Sequence, residues 1–250
     1  MKILTVSLLF VFAFLSVAYA VDDASLILYC PFNEGNGDTA KDVKSGLEGK
    51  FNGTTKWTDK GKVGNGVEFK AAADYVEFPA DKLLDITDQI TMEAWILPNE
   101  VQADSGLMGR RDSANVGGYC MQWTNGMVEM WIYIGGWQGT RGKQTIQPKT
   151  GEWHHVACVY DGKQEIQYVD GKVDIQFDQS GKIGSIDQPF RVGQAQTSLT
   201  SMFGIIDEVA VYKRALTEAE IKQDMTKGVI APVSPAGKLA SLWGYVKKSE

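Results

Sequence analysis

The chain predicts an all-β domain, a sandwich or barrel of short antiparallel strands followed by one short C-terminal helix. Three observations carry this. Between residues 25 and 213, short apolar or alternating runs are separated by turn signals. Two tight hairpins are marked by Asn125-Gly126 and Asp170-Gly171. After the last run, Thr217 and Glu220 form a capping box ahead of Ile221, and Gly228 supplies the stop.

Strands are expected over 26–32, 65–70, 74–79, 89–97, 105–110, 143–147, 153–160, 188–193 and 202–213. In "GYCMQWTNGMVEMWIYI" the turn pairs Trp123 with Val128, Met121 with Met130 and Tyr119 with Ile132, an apolar set for the core. The opposite side then carries Cys120, Gln122, Glu129, Trp131 and Tyr133. In "QEIQYVDGKVDIQF" the turn pairs Tyr168 with Val173 and Ile166 with Ile175. Ile166, Tyr168, Val173, Ile175 and Phe177 form the expected core side, and Gln167, Asp174 and Gln176 the wet side.

The ends differ in character. "MKILTVSLLFVFAFLSVAYA" has a basic start, an apolar stretch and Ala18-Tyr19-Ala20, the pattern of a secretory signal peptide over 1–20. The expected location is secreted, or periplasmic and cell-surface. No later segment approaches the ~20 apolar residues of a membrane span. Residues 21–228 suit a single all-β domain. Over 229–250 a Pro-rich linker precedes "KLASLWGYVKKSE", with Leu239, Leu242, Trp243 and Val246 at helical spacing.

Against 25 Lys and Arg stand 31 Asp and Glu, a net charge of −6. An acidic chain without basic clusters excludes nucleic acid and anionic membranes as natural partners. Cys30, Cys120 and Cys158 lie in strand-like apolar contexts and are expected to be buried small hydrophobes.

Five blocks resemble the laminin-G-like, concanavalin A-like jelly-roll family, in its order. They are "LILYCPFNEGNGDTAKDVKSGLEGKF" (26–51), "KVGNGVEFKAAADYVEFP" (62–79), "ITMEAWILP" (90–98), "GEWHHVACVYDGKQEIQYVDGKV" (151–173) and "FRVG…FGIIDEVAVYKRALTEAEI" (190–221). The resemblance implies an antiparallel two-sheet jelly-roll sandwich with one short C-terminal helix. It also implies a structural calcium ion that ties the N-terminal loop to the last strand through Asp42 and Asp207. Trp57, Trp95 and Trp153 fall in the family's packing blocks. The fold hosts lectins, adhesins and glycosidases alike, so the ligand must come from the site.

Glycoside hydrolysis needs two carboxyl groups flanking one bond. Asp207 and Glu208 are adjacent, and on a regular strand adjacent side chains point to opposite faces. His154 and His155 alternate in the same way. No G-x-S-x-G nucleophile turn is present. Sugar recognition has better material. The strip of Gln122, Glu129, Trp131 and Tyr133 joins Trp137 and Arg141 on the Gly-rich stretch "IGGWQGTRGKQ". The expectation is an exported, non-catalytic binding or adhesion module for carbohydrate, with structural calcium. The alternative is a protein–protein interaction module of an extracellular assembly, and a glycoside hydrolase ranks third.

Overall fold

The structure, a computed structural model, describes residues 23–111, 116–196 and 198–229. The expected leader over 1–20 lies outside these residues, as does the expected tail beyond Val229. Two sheets face each other. The eight-stranded sheet runs β14 (Lys172–Asp178), β13 (Gln164–Val169), β12 (His154–Tyr160), β7 (Ile90–Pro98), β17 (Gly204–Tyr212), β5 (Gly66–Phe69) and β4 (Lys56–Thr58), with β1 (Leu26–Cys30) also on β17. The nine-stranded sheet runs β11 (Trp137–Gly139), β10 (Met127–Tyr133), β9 (Gly118–Thr124), β8 (Ser105–Arg111), β15 (Phe190–Val192), β6 (Tyr75–Phe78), β3 (Glu48–Asn52) and β2 (Thr39–Lys41). A two-residue strand, β16 (Thr200–Ser201), lies parallel to β8, and the other described pairings are antiparallel.

The inner faces meet in one core that includes Leu28, Phe69, Phe78, Met92, Met121, Trp123, Tyr160, Phe190 and Val211. The expected all-β sandwich is what the chain forms. The single described α-helix, α1 (Glu218–Lys227), begins at Thr217, whose hydroxyl accepts the Glu220 N–H while Glu220 Oε2 accepts the Thr217 N–H at 2.8 Å. Its last turn closes where the Gly228 N–H donates to the Asp224 carbonyl.

The β9–β10 hairpin has the expected register, because Asn125 and Gly126 both take positive φ, 51° and 79°, and fix a two-residue turn. The β13–β14 hairpin departs from expectation. Its turn pairs Tyr168 with Val173, but a bulge then pairs Gln167 with Ile175 and Ile166 with Gln176. The polar residues go inward: Gln167 and Asp174 are buried, while Val173 is 41% exposed. The cause is a set of directed hydrogen bonds. Asp174 Oδ1 accepts the N–H groups of Thr145 and Ile146 at 2.7 and 2.6 Å, and Gln167 Nε2 donates to the Val128 carbonyl at 2.8 Å. A buried carboxylate satisfied by several donors outweighs simple alternation. The same contacts explain why 143–147 is no strand. Its N–H groups serve a carboxylate instead of a neighbouring backbone.

Strands β2, β3, β4, β11 and β16 were not expected from the sequence. They are two to five residues long, and most carry polar or glycine residues at their edge positions.

Candidate functional site

Alternation along β9 and β10 gives the nine-stranded sheet two chemically distinct sides. Tyr119, Met121, Trp123, Val128, Met130 and Ile132 enter the core. Cys120, Gln122, Glu129, Trp131 and Tyr133 therefore lie on the side away from it. Strand β11 extends this strip, pairing Trp137 with Tyr133 and Gly139 with Trp131. On the other flank Gly109 of β8 pairs with Cys120, and Arg111, two residues on, shares its side. Gly139 is required by close approach, since a Cβ there would stand 2.5 Å from Trp131 Cδ2.

The strip is knitted together by charge. Arg141 Nε donates to both oxygens of Glu129, at 3.2 and 3.1 Å, and its Nη2 pairs with Asp104. Trp131 Nε1 also donates to Glu129, at 3.0 Å. The guanidinium of Arg111 lies 4.1 Å from the Trp137 ring centre and 5.9 Å from that of Trp131, while Arg141 stands 5.4 Å from Trp131. Tyr133 meets Trp137 edge to face at 5.7 Å. The indoles are thus faced by cations instead of standing as bare platforms. Two donors in this cluster, Arg111 Nε and Trp137 Nε1, have no hydrogen-bond acceptor among the described residues. Cys120 is flanked by Arg111 Nη1 at 3.7 Å and Gln122 Nε2 at 3.6 Å, and burial pushes its thiol up, which makes it a poor nucleophile.

The structure therefore places Gln122, Glu129, Trp131, Tyr133, Trp137 and Arg141 in one neighbourhood. Gln122 and Glu129 are buried within it, whereas Trp131, Tyr133 and Trp137 are half-buried and Arg141 is exposed. Arg111 is the member that sequence reasoning missed. Its side of the sheet depends on the β8–β9 register, which carries an irregularity between Gly106 and Met108 and leaves no local trace.

The acidic residues on the other sheet are arranged differently from expectation. Between Asp207 and Ala210 the register of β17 against β7 slips, and Glu208 takes a positive φ of 53°. Ile206 and Val209 both enter the core, so Asp207 and Glu208 both point away from it. The expectation of opposite faces is corrected by this bulge, whose extra residue interrupts alternation. Neither carboxyl is open to a substrate, with Asp207 at 0% exposure and Glu208 at 8%. The Tyr29 hydroxyl donates to Glu208, and the Val63 N–H donates to Asp207 at 3.0 Å. Burial, reinforced by the neighbouring Glu208 charge, pushes the Asp207 carboxyl up to about 7. His154 is held between the Asp170 carboxylate at 2.8 Å and the Lys149 N–H at 3.0 Å. His155 lies buried against the edge of Trp95, and burial lowers its value to about 4.

A family model described as the concanavalin A-like lectin/glucanases superfamily matches residues 70–222, more than half of the chain. The chain belongs to this superfamily. Among curated proteins no sequence matches it. Solved structures do. Domain 4 of AbnA, a GH43 extracellular arabinanase from Geobacillus stearothermophilus in complex with arabinotriose, superposes with a TM-score of 0.66 at 19% identity, over 80% of this chain and 97% of that one. The binding domain of Paraclostridial Mosquitocidal Protein 1 gives 0.64 at 13% identity, over 80% of this chain and 51% of that one. A Trypanosoma rangeli sialidase in complex with sialic acid gives 0.61 at 17% identity, over 86% and 35%. The chain thus spans about half of that toxin's binding domain and a third of the sialidase. At these identities the likeness concerns the fold.

The calcium implied by resemblance to this superfamily can be tested on the donor set. Calcium takes six to eight oxygen ligands. Asp42 Oδ1 accepts the N–H groups of Tyr29 and Lys44 at 2.9 and 2.8 Å, and its Oδ2 accepts from Ser45. Asp207 likewise accepts N–H groups, from Val63 and Glu208. Asp42 caps the outer edge of β1, whereas β17 lies on its other edge. Among the described residues no group of three or more His, Cys, Asp and Glu side chains could hold a metal ion. Every oxygen of both carboxylates already accepts a hydrogen bond from a protein donor, so the pair as arranged does not fit a calcium site.

Proposed function

We propose that the chain is an exported, non-catalytic carbohydrate-binding module whose site is the outer strip of the nine-stranded sheet. One observation carries the reading: Trp131, Tyr133, Trp137, Arg111 and Arg141 converge on one sheet face around a buried Glu129. Indole edges and guanidinium N–H groups side by side offer sugars both an apolar surface and hydrogen-bond donors. The arabinanase domain solved with arabinotriose and the toxin binding domain, which share the fold, support a binding role. The carboxylate arrangement supports a non-catalytic one. Glu129 is tied to Asp104 through a shared Arg141, and Asp207 and Glu208 are both buried, with Glu208 accepting from the Tyr29 hydroxyl.

The test is a glycan array followed by calorimetry on the best ligand with the parent and Trp137→Ala. Trp137 is chosen because its indole bonds to no carboxylate, so its loss leaves the Glu129–Arg141 pair in place. Loss of one half-buried aromatic contact is expected to weaken binding roughly tenfold or more, with the melting temperature little changed. Unchanged affinity for a glycan that does bind would move the site elsewhere. Absence of any glycan ligand, with capture of an extracellular protein instead, would favour the protein-interaction alternative.

A further inference from the structure

The five arginines of the described chain are not used alike. Arg110 reaches Asp85 and Asp187, Arg141 reaches Glu129 and Asp104, Arg191 reaches Glu77, and Arg214 reaches Asp23 and Glu220. Arg111 forms no ion pair with any described residue. It is instead laid against Trp137 at 4.1 Å, with Nη1 on the sulfur of Cys120 and Nε buried without an acceptor among the described residues. A guanidinium fixed by stacking has already lost much of its side-chain freedom, so forming a further bond costs little extra entropy. Glu129 and Asp104, the described carboxylates of the strip, both pair with Arg141 and not with Arg111. Arg111 and Arg141 balance Glu129 and Asp104 in number, but Arg111 is the guanidinium of the strip that has no carboxylate partner among the described residues, on a protein of net charge −6.

We infer that Arg111 makes this site selective for a sugar bearing an oxyanion, a carboxylate or a sulfate ester, docked beside Trp131 and Trp137. This rests on the carbohydrate reading above and narrows it. The planar fork of an arginine matches such groups in two-bond geometry, which a hydroxyl cannot reproduce. The acidic remainder of the surface repels long polyanions, so the ligand is a glycan with an isolated acidic residue and not a densely charged polymer.

The experiment measures calorimetric affinities for three versions of one oligosaccharide: neutral, with one uronic acid, and with one sulfate. Parent, Arg111→Gln and Arg191→Gln are compared, the last removing a paired arginine from the same side of the sheet. Circular dichroism and melting temperature establish that each variant is folded. The expected result is roughly ten- to a hundredfold preference for one or both acidic versions, lost in Arg111→Gln and kept in Arg191→Gln. The uronic acid and sulfate arms identify which oxyanion is meant. Equal binding of neutral and acidic versions by the parent would overturn the inference and leave carbohydrate binding standing. A preference that survives in Arg111→Gln would overturn the assignment to this residue. Failure of all three in a parent that binds no glycan on an array would remove the carbohydrate reading, and the inference with it.

Discussion

Glu165 sits on the core side of β13, opposite Tyr160, and neither of its oxygens meets a donor among the described residues. Burial pushes its carboxyl up to about 8, with Lys143 pulling partly the other way. Burial also raises Glu93, beside Asp224, and takes Asp207 to about 7. A carboxyl raised in the folded state holds its proton longer there than in the unfolded chain, so the folded state binds more protons over the interval between the two values. Stability from these groups is complete below the ordinary carboxyl range of about 4 and is lost as pH rises through about 7 to 8. The melting temperature should fall between about pH 5 and about pH 9, and Glu165→Gln, which has no charge to bury, should flatten that fall. Differential scanning calorimetry across this range reads the effect. A parent whose melting temperature rises over the same interval would contradict this picture of the buried carboxyls.

At the scale of elements, the legible parts are those with a local cause. Asn125-Gly126 fixes a turn, the turn fixes the register, and the register fixes which side Glu129 and Trp131 face. Thr217 and Glu220 similarly declare the start of α1. Bulges are where this logic stops. Nothing in "IIDEVAV" marks Glu208 for positive φ, and a single slip there reversed the expected orientation of one carboxylate. Asp174 illustrates the same limit, since its bulge is held by the Thr145 and Ile146 N–H groups, about thirty residues earlier in the chain. Within the site, β11 depends on Gly139 lying under Trp131. Gly139→Ala would drive a methyl group into the indole, displace Trp131 from Glu129 and weaken glycan binding, while the core on the other side of the sheet is left intact. Glycan titration with a parallel melting curve measures both, and full affinity in the variant would mean that the seat of Trp131 has no bearing on binding.

Across the whole molecule, the two-sheet fold was legible because dozens of strand positions repeat the same pattern, so isolated slips do not hide it. The site was partly legible. Its β9–β10 half lies within one hairpin, but Arg111 and Asp104 come from another strand and its approach, joined only through tertiary pairing. The calcium expectation came from resemblance alone, and the hydrogen bonds at Asp42 and Asp207 give those carboxylates other work. What remains is a β-sandwich with one polar, cation-lined aromatic strip on its outer side. The most direct measurement is a two-dimensional proton–nitrogen NMR titration that follows the indole N–H signals of the seven tryptophans with a glycan ligand. The account predicts shifts concentrated at Trp131 and Trp137, with Trp123, whose Nε1 donates to the Glu100 carbonyl from the core side, unmoved. Shifts concentrated at Trp57, Trp95 or Trp153, with Trp131 and Trp137 still, would contradict it.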